Sequence, residues 1–94
     1  MFKMNWELIS FIKRSKQRIM ILKEFHSAIT PSEISKKTNL SPSHISRTLR
    51  EFNEKGLVVC KTPKNKLGKI YGLTPLGEEI QEIIKGGEIA DKYS

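Results

Sequence analysis

The sequence predicts a mainly α-helical domain that carries one β-hairpin and, among its helices, a helix-turn-helix. Three observations lead there. Ser or Thr stands directly before Pro at Thr30-Pro31, Ser41-Pro42 and Thr74-Pro75. Each pair marks a helix start, because the hydroxyl accepts a free backbone N–H and proline at the first helical position gives up a hydrogen bond that had no partner. Only Thr38-Asn39-Leu40-Ser41 separates the helices opened by the first two starts, so that pair must turn sharply. Between Gly56 and Thr74, two β-like runs flank a segment rich in turn residues.

Taken in order, residues 4–13 and 16–26 read as the first two helices, with His26 closing the second, where it can interact with the last carbonyls. The third helix is 31–38, and Glu33 completes a capping box with Thr30. Asn39 is suited to the positive φ of the turn, and Leu40 to plugging the angle between the helices. The fourth helix, 42–55, stops at Gly56, which can take the left-handed conformation, with Leu57 placed for the accompanying hydrophobic contact. Strands 57–62 and 69–73 form a hairpin whose tip, 63–68, is basic. The last helix is 75–85. Gly86-Gly87 is expected to break it, leaving 1–85 as one domain and 86–94 as a short tail.

Composition limits the function. A chain of 94 residues suits one domain whose core is just large enough to fold without metal or disulfides. The single cysteine, Cys60, cannot form an internal disulfide or a thiolate-rich metal site and reads as a small semi-buried strand residue, which fits a reducing, cytoplasmic setting. The longest apolar runs, such as Ile19 to Leu22, are four residues, far below a membrane span, and Glu7, Lys13 and Arg14 interrupt any signal-peptide core. No paired carboxylates, nucleophile with a base, or phosphate-cradling glycine loop can be assembled, so no enzyme is expected, and neither cofactor nor metal is implied.

Charge points to the partner. The net charge is +7, but residues 1–75 hold fifteen Lys/Arg against five Asp/Glu, while residues 76–94 hold two against five. Such segregation suits a polyanion, either nucleic acid or a membrane surface. The membrane reading fails because the lysines decorate a folded motif rather than one amphipathic helix. On the fourth helix, Ile45, Leu49 and Phe52 recur at helical spacing as a core stripe, whereas Ser43, Ser46, Arg47 and Arg50 make a face with no acid before Glu51.

In "TPSEISKKTNLSPSHISRTLREFNEKGLV" and "KIYGLTPLG" the sequence resembles the winged helix-turn-helix transcription regulators of the MarR and ArsR type, especially their small archaeal relatives. The resemblance covers roughly the middle two-thirds of the chain, and its most specific part is Ser43, Ser46, Arg47 and Leu49 with Glu54 to Val58 behind them. It implies a winged helix-turn-helix with the helix after Leu40 in the DNA major groove and the hairpin after Gly56 as the wing. Asn39 sits where the turn is usually glycine, and the wing tip offers Lys64, Lys66 and Lys69 in place of the Asp and Arg pair common in MarR-type proteins. There is no ArsR-like cysteine box, and ligand sensing does not carry over to a chain this short.

The expected contacts to double-stranded DNA are therefore Ser43, His44, Ser46, Arg47 and Arg50 on the helix, with Lys64, Lys66 and Lys69 on flanking phosphates. Apolar residues spread around well over half of the first helix, more than one small core needs. Homodimerisation by the terminal helices is expected, through Phe2, Trp6, Ile9, Ile80, Ile83 and Ile84. The rival to a regulator is a winged-helix adaptor in a larger assembly, against which the basic, acid-free helix face argues.

Overall fold

The computed structural model describes residues 6–26, 28–62 and 69–93, with 87–93 described by backbone alone. Five helices and a two-stranded sheet follow in the order α1 (Trp6–Lys13), α2 (Lys16–Lys23), α3 (Pro31–Thr38), α4 (Pro42–Glu54), β1 (Val58–Cys60), β2 (Tyr71–Leu73) and α5 (Pro75–Tyr93). Helix α1 packs on α2 and α5, and α3 packs on α4. Every helix contributes to one core, with Ile12, Ile21, Ile34, Ile45, Leu49 and Phe52 wholly buried and Ile80 and Ile84 nearly so. Among the described residues no helix is long and apolar enough to cross a membrane.

All three expected starts are capped by their hydroxyls. Thr30 accepts from Glu33 N while the Glu33 side chain accepts from Thr30 N, completing the capping box. Ser41 Oγ accepts from His44 N at 3.2 Å, and Thr74 Oγ1 from Gly77 N at 3.0 Å. A further cap, Ser15, opens α2. Gly56, at φ 78°, ends α4 in a Schellman arrangement: Leu57 N–H donates to Phe52 O and Gly56 N–H to Asn53 O.

Three expectations about element boundaries are corrected. Helix α2 ends at Lys23 rather than at 26, so His26 lies beyond it and is exposed. At this end the backbone closes in a tight turn, Glu24 N–H donating to Ile21 O and Phe25 N–H to Leu22 O, and the buried amide of Gln81 of α5 donates to Leu22 O at 2.8 Å and Phe25 O at 2.7 Å. It supplies a donor to Phe25 O and a second one to Leu22 O, which also accepts from Phe25 N. The strands are shorter than expected, because the Leu57 N–H belongs to the α4 terminus; β1 pairs antiparallel with β2 in the register Val58↔Leu73, Val59↔Gly72, Cys60↔Tyr71. Beyond the ladder, Lys61 N still donates to Ile70 O, and Ile70 N donates to the Thr62 hydroxyl. Finally, Gly86-Gly87 does not end α5, which continues to Tyr93. Glycine in a helix interior costs only about 1 kcal/mol relative to alanine, too little to stop a helix that neighbouring residues favour. The turn 63–68 lies outside the described residues.

Ile29 forms an isolated antiparallel bridge with Tyr71, each N–H donating to the other's carbonyl at 2.8 Å. This bridge adds a third short edge to the sheet. It ties the segment before α3 to the base of the hairpin.

Candidate nucleic-acid interface

The turn between α3 and α4 sets the direction of the exposed helix. Asn39 adopts φ 63° and ψ 17°, the left-handed conformation expected of it. The polar groups around it are satisfied locally: Asn39 N–H donates to Ser35 O, Ser35 Oγ donates to Leu40 O at 2.7 Å, and Thr38 Oγ1 donates to Ile34 O at 2.7 Å while accepting from Leu40 N. Leu40 packs half-buried against the core. The turn is thereby held by two α3 side chains, Ser35 and Thr38, which bond the backbone of Leu40, and by the packing of Leu40 itself.

Along α4 the two faces separate cleanly. Ile45, Leu49 and Phe52 are wholly buried, and Thr48 turns inward, donating to His44 O at 3.0 Å. Ser43, Ser46, Arg47 and Arg50 are all exposed, and His44 lies half-exposed at the flank. Neither arginine makes an ion pair among the described residues. Arg50 lies near enough to Tyr71 of β2 for its charge to favour the phenolate, although burial dominates and raises that tyrosine above its ordinary value. The exposed face of α4 therefore continues toward the hairpin. At the hairpin, Lys69 and Lys61 are exposed, whereas Lys64 and Lys66 lie outside the described residues.

A cluster that sequence reading missed braces the far flank of α4. The Arg18 guanidinium lies 3.9 Å from the Phe11 ring centre, donates to Phe11 O at 2.8 Å and pairs with Glu51 at 3.6 Å. Phe11 meets Phe52 edge-on at 6.3 Å, and Lys55 Nζ sits 5.0 Å over the Phe11 ring. These groups come from α1, α2 and α4, and no local spacing announces that they meet.

The expected dimer residues divide. Ile9, Ile80 and Ile84 are buried within the single chain, at 4%, 1% and 2% exposure, and Ile83 is half-buried against the same core. They do not form the free apolar surface expected of them. Helix α1 is apolar on several sides because it serves several neighbours inside the chain: α2, α5 and, through Phe11, the Phe52 end of α4. Trp6 remains 67% exposed, and Phe2 lies outside the described residues.

Comparison with known proteins agrees with this geometry. A family model described as a homeodomain-like domain matches residues 13–59, from the end of α1 to β1. No match was found among curated proteins. A solved structure of a mutant type III plasmid segregation protein, TubR, is similar at TM-score 0.76 and 21% identity, covering 95% of this chain and 98% of that one. A MarR family transcription regulator is similar at TM-score 0.76 and 23% identity, covering 94% of this chain and 65% of its own. A cysteine-to-serine mutant of MarR from E. coli, solved in complex with operator DNA, is similar at TM-score 0.65 and 26% identity, covering 83% of this chain and 58% of that one. The chain thus spans about three-fifths of the length of these two MarR structures.

Proposed function

Because this chain belongs to the homeodomain-like domain family, we propose that it is a sequence-specific regulator of transcription that binds double-stranded DNA, with α4 in the major groove. Its fold is a mainly α winged helix-turn-helix, the β1–β2 hairpin forming the wing. The observation that carries the reading is the face of α4. Two arginines and two serines stand exposed there, and the only carboxylate before the helix's last residue, Glu51, is drawn aside to Arg18. Arginine can bond guanine at two atoms of its major-groove edge, and hydroxyls reach bases or phosphates. Solved MarR bound to its operator supports the choice of duplex DNA as partner. We assign the chain to the MarR/ArsR type as a small member.

Arg47, one turn into the helix, reads a base edge; Arg50, nearer the hairpin, holds phosphate, as do Lys64, Lys66 and Lys69. Ser43, Ser46 and His44 complete the helix contacts. Homodimerisation belongs to the same proposal and now rests on Trp6, the largest exposed apolar side chain among the described residues. Two copies would present two α4 helices to a pseudo-palindromic site.

The test is Arg47→Ala, assayed for affinity on a duplex selected from a random library and on random duplex at one salt concentration. Loss of about 1–3 kcal/mol on the selected site, with relaxed discrimination at one base pair per half-site, is expected. Equal loss on both duplexes would reduce Arg47 to a phosphate contact. No loss on either would remove α4 from the groove and favour the adaptor reading.

A further inference from the structure

Glu51 follows Arg47 by one helical turn, about 40° around α4 at 3.6 residues per turn. Left to itself, its carboxylate would have two basic partners one turn away, Arg47 before it and Lys55 after it, whose Nζ lies 5.0 Å over the Phe11 ring, and it would stand beside the phosphates of any duplex lying against Ser43 and Arg47. The structure shows a different pairing: Glu51 reaches Arg18 of α2 at 3.6 Å, and Arg47 makes no ion pair among the described residues. We propose that Arg18 is a positioning residue for DNA binding: it sequesters Glu51 and so leaves the Arg47 guanidinium free to meet DNA. This inference rests on the reading of Arg47 as a base contact.

Physical reasons favour Arg18 in the competition for Glu51. Its guanidinium is already fixed, lying 3.9 Å over the Phe11 ring and donating to Phe11 O at 2.8 Å, so little side-chain freedom remains to be lost when Glu51 joins. Its side chain is 24% exposed, and that of Glu51 37%, so the pair is partly shielded from water. Arg47, by contrast, is exposed, and an arginine placed before a glutamate on a helix is the weaker of the two orientations for such a pair. Phe11 and Phe52 hold the two elements at this separation, ring against ring.

The inference is tested by a double-mutant cycle of Arg18→Met and Glu51→Gln, read as affinity for the selected duplex at one salt concentration, with circular dichroism confirming that each variant is folded. Arg18→Met should weaken binding by roughly ten-fold, since the released carboxylate pairs with Arg47 and repels phosphate; a loss below about three-fold, with the carboxylate turning to Lys55 instead, overturns the inference. Adding Glu51→Gln should restore affinity to within about two-fold of the unaltered protein, whereas Glu51→Gln alone should change it by less than about three-fold. If Glu51→Gln has the same effect in both backgrounds, only net charge matters and the inference falls. A second measurement needs neither DNA nor the Arg18 variant. In NMR spectra of arginine side chains, Glu51→Gln should move the Arg18 guanidinium signal and leave that of Arg47 in place; the reverse pattern overturns the inference. Failure of the unaltered protein to bind any duplex would defeat the DNA reading, while the NMR result would still report which arginine holds Glu51.

Discussion

An alanine at position 77 would drive its Cβ into Leu57 O and place it 3.0 Å from Leu57 C and 3.0 Å from Leu73 Cδ2. The nearest neighbour is backbone, so no rotamer change relieves the clash. That backbone is also anchored, because Leu57 O accepts from Thr74 N at 3.0 Å, with Thr74 Oγ1 also within reach at 3.2 Å. The first turn of α5 must move away by more than about 1 Å to reach ordinary contact, straining the bonds that seat it on the end of α4. Overpacking of this kind costs about 1–3 kcal/mol, and weakening the Thr74 bonds about 1 more, against a gain of about 1 from replacing glycine in a helix. A net loss of about 1–3 kcal/mol lowers Tm by roughly 4–24 °C in a domain of this size. Gly86, in the same helix, has nothing within 4 Å of a Cβ, so Gly86→Ala should instead raise Tm by a few degrees, up to about 8 °C. Far-UV circular dichroism melts of the two variants decide the matter. A Gly77→Ala melt within about 2 °C of the unaltered protein would refute the close approach of α5 to Leu57, and a fall in Tm for Gly86→Ala would refute the continuation of α5 through the glycine pair.

Other perturbations address the remaining parts of the molecule. Gln81→Leu removes both bonds to Leu22 O and Phe25 O and should cost about 2–4 kcal/mol in urea unfolding; a loss below about 0.5 kcal/mol would mean that these carbonyls do not depend on it. The backbone N–H of Thr30, and then its hydroxyl, hold the Glu33 carboxyl below its ordinary value of 4.5. Its contribution to stability is therefore full above that value and is lost as pH falls through the lowered one, so Glu33→Gln should flatten the acid limb of the stability curve, and an unchanged limb would exclude the cap as its source. Changing Lys64, Lys66 and Lys69 together to Ala should weaken binding to all duplexes alike and flatten the slope of log K against log salt by roughly 0.9 per lost phosphate contact; an unchanged slope makes the wing a structural hairpin only. Trp6→Glu should produce monomers in light scattering and weaken operator binding, and an unaltered protein that is already monomeric at tens of micromolar would end the dimer proposal.

What could be read from the sequence was written within a few residues. Thr30, Ser41 and Thr74 announce their helices because a cap and its N–H lie within three positions, and Gly56 and Asn39 announce their turns because only certain residues accept positive φ. The acid-free face of α4 was legible for the same reason. Contacts between distant residues were not. The carbonyls at the end of α2 are met by an amide 59 and 56 positions away, and the edge at Ile29 exists only because Tyr71 is folded against it. The broad apolar surface of α1 was visible, but periodicity does not say whose surface it meets. Burial shows that most of it faces the chain's own helices, leaving Trp6 outside.

The same distant contacts determine how the proposed DNA-facing helix is held. Its N-terminus leaves the Asn39 turn, and its other end is gripped twice. On one flank Phe11 and Arg18 bind it to α1 and α2, and at its C-terminus the Thr74 hydroxyl, while capping α5, donates its one hydrogen to Gly56 O, with Leu57 O also within reach at 3.2 Å. The helix therefore cannot tilt without disturbing α1 or α5. For a dimer joined near Trp6 at the start of α1, this has a geometric consequence. In the proposed dimer the separation of the two α4 helices would be transmitted through packed side chains rather than through a flexible linker, which would make the half-site spacing a property of this core. Arg18 then has two roles to separate, the proposed one of leaving Arg47 free and that of bracing the helix against Phe11. The first role depends on the charge of Glu51 and the second on the ring of Phe11; Glu51→Gln in the Arg18→Met background restores only the first, so rescue to within about two-fold means that the Phe11 contact contributes little to affinity.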